Sequence, residues 1–74
     1  MKNDLTTQTA RLQKYQAERA DMQDFIKGDE FKALPEVHQN AIMQNEILLG
    51  LISDTLELRV KYLTPGELND SVEA

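Results

Sequence analysis

Between Val37 and Leu63 apolar side chains are denser than anywhere else in the chain, and they recur at the 100° step of an α-helix rather than the alternation of a strand. Projected at that step, residues from Ile47, Leu58 and Leu51 through Leu48 and Ile52 to Leu49 and Val60 fill an arc of about 220°, where a helix covered from one side needs about 100°. Ser53, Glu46, Glu57, Gly50, Lys61 and Asp54 hold the remaining arc, with Met43 among them. The pattern predicts a helix over 36–63 that must be covered from two sides. Gly50 sits in its middle at about 1 kcal/mol relative to alanine, marking either close approach of another backbone or a tolerated position.

Upstream, Leu5, Leu12, Tyr15, Met22 and Ile26 recur near a seven-residue repeat, with Phe25 at one edge. That narrow stripe suits one helix lying along another. Asp4 or Thr6 is placed to start this helix. Lys27-Gly28 is placed to stop it, a basic last turn before a residue that tolerates a left-handed cap. Asp29 caps a short turn through Phe31 and Leu34, which plug the end of the pair. Pro35 suits a helix's first turn and Glu36 its positive end. Thr64-Pro65-Gly66 ends the second helix, and Glu67 to Ala74 is acidic and rich in small residues. The expected organisation is one domain over 1–74: a helix over 5–27, a connector over 28–35, a helix over 36–63 and a flexible acidic tail over 64–74. The fold class is all-α, a two-helix antiparallel hairpin with a one-turn connector.

Length sharpens this picture. A chain of 74 residues buries a modest core and usually needs disulfides, a metal or association to be firmly stable. With no cysteine and one histidine, association is the device that remains. The second cover of the long helix is therefore expected to be another copy, giving a helical-bundle homo-oligomer of two to six chains. Its interface is expected on Ile42, Asn45, Leu49, Ile52, Leu56 and Leu63, with Asn45 setting the register.

Thirteen acidic against eight basic residues leave a net charge of −5, which disfavours duplex nucleic acid as a partner. Met1 to Ala20 lacks the apolar segment of a signal peptide, and Ile47 to Ile52 is too short to span a bilayer. A cytoplasmic protein with no membrane partner is expected. Ser53 has no histidine at a helical neighbour position, and neither a glycine-rich phosphate loop nor a Glu-x-x-His pair occurs. No enzyme activity, cofactor or metal is expected, and His38 reads as a surface or packing residue.

Polar residues inside the apolar stripes carry the candidate chemistry. Arg59 falls within the wide arc and Arg19 in the middle of the first stripe, where a guanidinium must be paired. It meets either a carboxylate, from Glu18, Glu46, Glu57 or a neighbouring subunit, or a phosphate held bidentately, or it snorkels so that its head group reaches solvent. Tyr15 lies one turn from both Arg11 and Arg19 and is either core at the seam or a platform for a base. The candidate ligand set is Arg11, Tyr15, Arg19 and Arg59.

The block running from Phe25-Ile26 through Phe31, Leu34-Pro35, Gln39, Ile42, Asn45, Leu49, Ile52 and Leu56 to Arg59-Val60 resembles a common type of small bacteriophage protein. Asn45 stands where that pattern has glutamine, and Ile52 where it has tyrosine. Such proteins look like the helical-hairpin nucleotide sponges, symmetric oligomers that sequester the cyclic nucleotide signals of CBASS and Thoeris immunity. The resemblance implies binding of cyclic di- or trinucleotides between subunits, without turnover, in the host cytoplasm. Two other readings stand beside it. An acidic face of Glu46, Asp54 and Glu57 with Asp21 and Asp24 would dock a basic host protein, or assembly itself would be the function of a virion component.

Overall fold

The computed structural model describes residues 2–65, and of the tail expected over 64–74 residues 66–74 lie outside them. All regular structure in that range is helical: α1 (Leu5–Ile26), α2 (Asp29–Lys32) and α3 (Glu36–Leu63). The boundaries follow local chemistry. Asp4 caps α1, its carboxylate accepting the Thr7 N–H at 2.7 Å. Lys27 closes α1 in the right-handed region, and Gly28 is extended at φ −89°. The left-handed cap expected at Gly28 is therefore not used. Gly28, rather than Asp29, is the residue that precedes α2, and Pro35 stands just before α3 instead of inside its first turn.

The connector is held from α3. Gln39 donates its side-chain amide to the carbonyls of Leu34 at 2.9 Å and Lys32 at 3.3 Å. Phe31 is buried and meets Phe25 edge to face at 6.3 Å between centroids, so the expected plug at this end is present.

Helices α1 and α3 pack antiparallel. Asn3 meets Arg59 near one end, Gln16 meets Glu57, and Arg19 and Gln23 both meet Glu46 toward the other. From α1 the seam takes Gln8, Leu12, Tyr15, Arg19, Met22 and Ile26, at alternating spacings of four and three. From α3 it takes Ile42, Glu46, Leu49, Ser53, Leu56 and Val60 at the same spacings, the heptad register of coiled-coil packing.

This seam corrects the face expected of α3. Glu46, Gly50 and Ser53, assigned above to the polar side, are turned into the contact, and Ser53 answers its own hydroxyl by donating to the Leu49 carbonyl at 2.8 Å. The greasiest side of α3 faces out instead. Leu48, Leu51 and Leu58 stay more than half exposed at 55%, 58% and 56%, with Val37 and Tyr62 on the same side. Among the described residues the buried apolar side chains are Phe31, Leu49 and Leu56. That is a small core for helices of this length, and most of the apolar surface of α3 is left uncovered.

Leu56→Ala removes a side chain from the centre of the seam and is expected to cost about 2–5 kcal/mol. Leu51 lies outside the seam and is 58% exposed, and Leu51→Ala is expected to leave the α1–α3 packing intact. Urea unfolding of the two variants, followed by circular dichroism at equal concentration, measures the contrast.

Candidate functional site

The four sequence candidates separate into two places. Arg19 projects from the middle of α1 across α3, and its Nε donates to Glu46 Oε1 at 2.8 Å. Its guanidinium lies over Gly50, where a Cβ would stand 2.6 Å from Arg19 Cζ. The close approach expected at Gly50 is real, but what approaches is a guanidinium and not a backbone. Gln23 adds a second donor to Glu46 Oε1 at 3.0 Å. The hydrogen bond from Arg19, then that from Gln23, holds the Glu46 carboxyl below the usual glutamate range. Arg19 is thus committed to a carboxylate and leaves the ligand set.

Arg11 and Arg59 are brought together. They line one groove of about 240 Å³ on the other flank of the seam, floored by Leu51, Ile52, Thr55 and Leu56. Each guanidinium is steered by a neutral amide oxygen. Arg11 Nη1 donates to Gln8 Oε1 at 3.0 Å, and Arg59 Nη2 donates to Asn3 Oδ1 at 2.7 Å. Among the described residues neither lies within salt-bridge distance of a carboxylate, so both keep their charge for an anion. Tyr15 is half-buried behind Arg11, whose Cζ is 6.0 Å from the ring centroid. It backs the groove without lining it.

Gln8 is the residue that sequence reasoning passed over. It is the most completely buried side chain described, and it donates to the Lys2 carbonyl at 2.7 Å while accepting from Arg11. Its spacing of four from Leu12 was the available signal, because it places a polar residue in the α1 stripe.

The expected oligomer residues also divide. Leu49 and Leu56, buried, and Ile42, half-buried, belong to the chain's own seam, and Leu63 is half-buried at the end of α3. Asn45 and Ile52 remain exposed and available. Asn45 lines a larger groove of about 490 Å³ with Phe25 and Met22, but Glu18 and Asp21 rim it and would repel phosphate. The acidic face proposed for docking a basic protein loses Glu46 to Arg19, and Glu57 accepts from Gln16 at 3.2 Å. Among the described residues no three histidine, cysteine, aspartate or glutamate side chains gather to hold a metal, and no helix is long and apolar enough to cross a membrane. No family model, curated protein or solved structure matches this chain.

Two measurements test the Arg19 cluster. Gly50→Ala gains about 1 kcal/mol in helix propensity but drives its methyl into the guanidinium. It is expected to change stability little while returning the Glu46 carboxyl toward its ordinary range, as Arg19→Ala also would, read by carbon-detected NMR titration. The Asp4 carboxyl is likewise held low by hydrogen bonds from Thr7, side chain first and backbone second. Both carboxyls are depressed in the folded chain. Their contribution is therefore whole above the ordinary carboxylate range and is lost as pH falls through it to the folded values. Thermal unfolding is expected at lower temperature at pH 3 than at pH 7, with a smaller difference in Glu46→Gln.

Proposed function

We propose that this chain is a non-catalytic binding protein that assembles with copies of itself and sequesters a phosphate-bearing ligand, of the cyclic di- or trinucleotide class, in pockets between subunits. One observation carries the reading. Two guanidiniums whose partners among the described residues are neutral converge on a groove whose floor includes Leu51 and Thr55, on the border of the uncovered apolar side of α3. Paired arginines present planar donor forks that match phosphate oxygens bidentately. Gln8 and Asn3 aim those forks without neutralising them.

Size supports the need for more than one chain. A groove of about 240 Å³ falls below the range of about 300–1,000 Å³ typical of small-molecule pockets. It takes a phosphate and part of a sugar. A second subunit laid on the apolar side of α3 would wall the groove and bring its own arginines, matching a ligand with more than one phosphate. The hairpin arrangement serves this by exposing the groove along one flank. The resemblance to phage nucleotide sponges agrees with such a site. Such a role needs no chemical step, because removing a signal from solution silences whatever reads it. In this reading Arg11 and Arg59 hold phosphate, Tyr15 supports Arg11, and Arg19 is structural.

Calorimetric titration of the chain with a panel of cyclic di- and trinucleotides tests the proposal. Binding is expected, with Arg11→Ala and Arg59→Ala each weakening it by about tenfold to a hundredfold, the loss of a charged hydrogen bond. Arg19→Ala is expected to leave affinity unchanged, since its guanidinium is held by Glu46 on the opposite flank. A panel without binding at tens of micromolar overturns the ligand assignment.

A further inference from the structure

The uncovered side of α3 is itself a regular row. Val37, Leu48, Leu51, Leu58 and Tyr62 are its large members. Ala41, Gln44 and Thr55, all exposed, fill the gaps so that spacings of four and three alternate from Val37 to Tyr62. A helix with one heptad seam against α1 and another turned roughly 150° away is built to pack on both sides. We infer that the occupant of this second seam is the same seam of another copy, laid antiparallel. The inference names the partner that the proposed pockets between subunits require, and it rests on that self-assembly but not on the proposed ligand.

The row is complementary to its own reverse. Set antiparallel about a point between Leu49 and Gly50, Leu48 of one copy faces Leu51 of the partner subunit and the reverse, which makes the centre of the contact wholly apolar. Gln44 faces Thr55 of the partner subunit, so the two polar members of the row meet each other rather than a leucine. Toward the ends Ala41 faces Leu58 of the partner subunit, and Val37 faces Tyr62 of the partner subunit. Small stands opposite large in both layers, as close packing requires. A parallel arrangement keeps polar opposite polar but sets tyrosine on tyrosine and alanine on alanine, alternating thick and thin layers. Its compensation is an exposed ion pair between Asp54 and Arg59 of the partner subunit, which is a weak term against core packing. It would also neutralise a cation of the groove. The antiparallel arrangement instead brings His38 of the partner subunit toward Arg59, adding a nitrogen to the rim of the Arg11–Arg59 groove. One two-fold contact thereby buries the apolar row and completes both grooves.

The chain has no cysteine, so a single introduced thiol reports one contact. Gln44→Cys and Thr55→Cys are both placed at positions exposed in the isolated chain. Under mild oxidation and without nucleotide, an equal mixture of the two variants is expected to give mainly the mixed disulfide dimer, and each variant alone little dimer. Efficient dimer from Thr55→Cys alone would mean a parallel pair and overturn the arrangement. The unmodified chain is expected to sediment as two copies or a multiple of two at micromolar concentration, and Leu51→Glu as a single chain. A wild-type chain that sediments singly, or Leu51→Glu that stays assembled, overturns the interface. Row-dependent binding of the wild-type chain to lipid vesicles with no self-association would assign the row to a membrane surface instead and overturn it as well. None of these readouts involves a nucleotide, so a failed titration and a failed interface are told apart.

Discussion

The guanidinium of Arg19 lies in the stripe that α1 turns toward α3, its side chain 37% exposed and its Nε 2.8 Å from Glu46. It reaches Glu46 because Gly50, one turn further along α3, has no side chain in the way. That contact goes together with one rotation of α3. To present Glu46 and Gly50 to α1, the helix must also turn Ser53 inward, and it must turn Leu48, Leu51 and Leu58 away. Ser53 tolerates the move because its hydroxyl bonds back to the Leu49 carbonyl. The most apolar side of the molecule is outside in the same rotation that sets Glu46 against Arg19.

The rest of the architecture is arranged along that rotation. One flank of the seam carries the amide and carboxylate contacts of Gln16, Gln23, Glu46 and Glu57. The other carries two grooves of opposite character, acidic beside Glu18 and Asp21 and cationic between Arg11 and Arg59. The separation of charge along one flank matters for any anion, which is attracted at one end and repelled at the other. Neutral amides, from Gln8 and Asn3, restrain the two arginines of the cationic groove. An amide fixes the direction of a guanidinium while leaving its full charge to a ligand, whereas a carboxylate would supply the charge itself.

A small core and a cationic groove on the border of an uncovered apolar row occur together. Three buried apolar side chains among the described residues give a single chain little to hold its helices together. Covering the row would add stability and enclose the groove in the same step, so that binding and assembly would be coupled through shared residues such as Leu51 and Thr55.

Much of the fold was legible in the residue pattern. The 3.6-residue period located α1 and α3, Asp4 and Thr64-Pro65 marked ends, and Phe31 announced the plug, because periodicity, capping and aromatic burial act over a few neighbouring residues. The breadth of the apolar arc on α3 already said that one partner helix would not cover it. Which edge of that arc α1 would take was not legible. Burying Leu48 and Leu51 and burying Glu46 and Ser53 are equally helical choices, and hydrophobicity alone favours the first. Only the packed pair decides, since Glu46 has a reason to turn inward once Arg19 stands opposite it, 27 positions away in the chain. The same holds for the groove. Arg11 and Arg59 are unremarkable apart, and their meeting depends on an antiparallel register that no local signal contains.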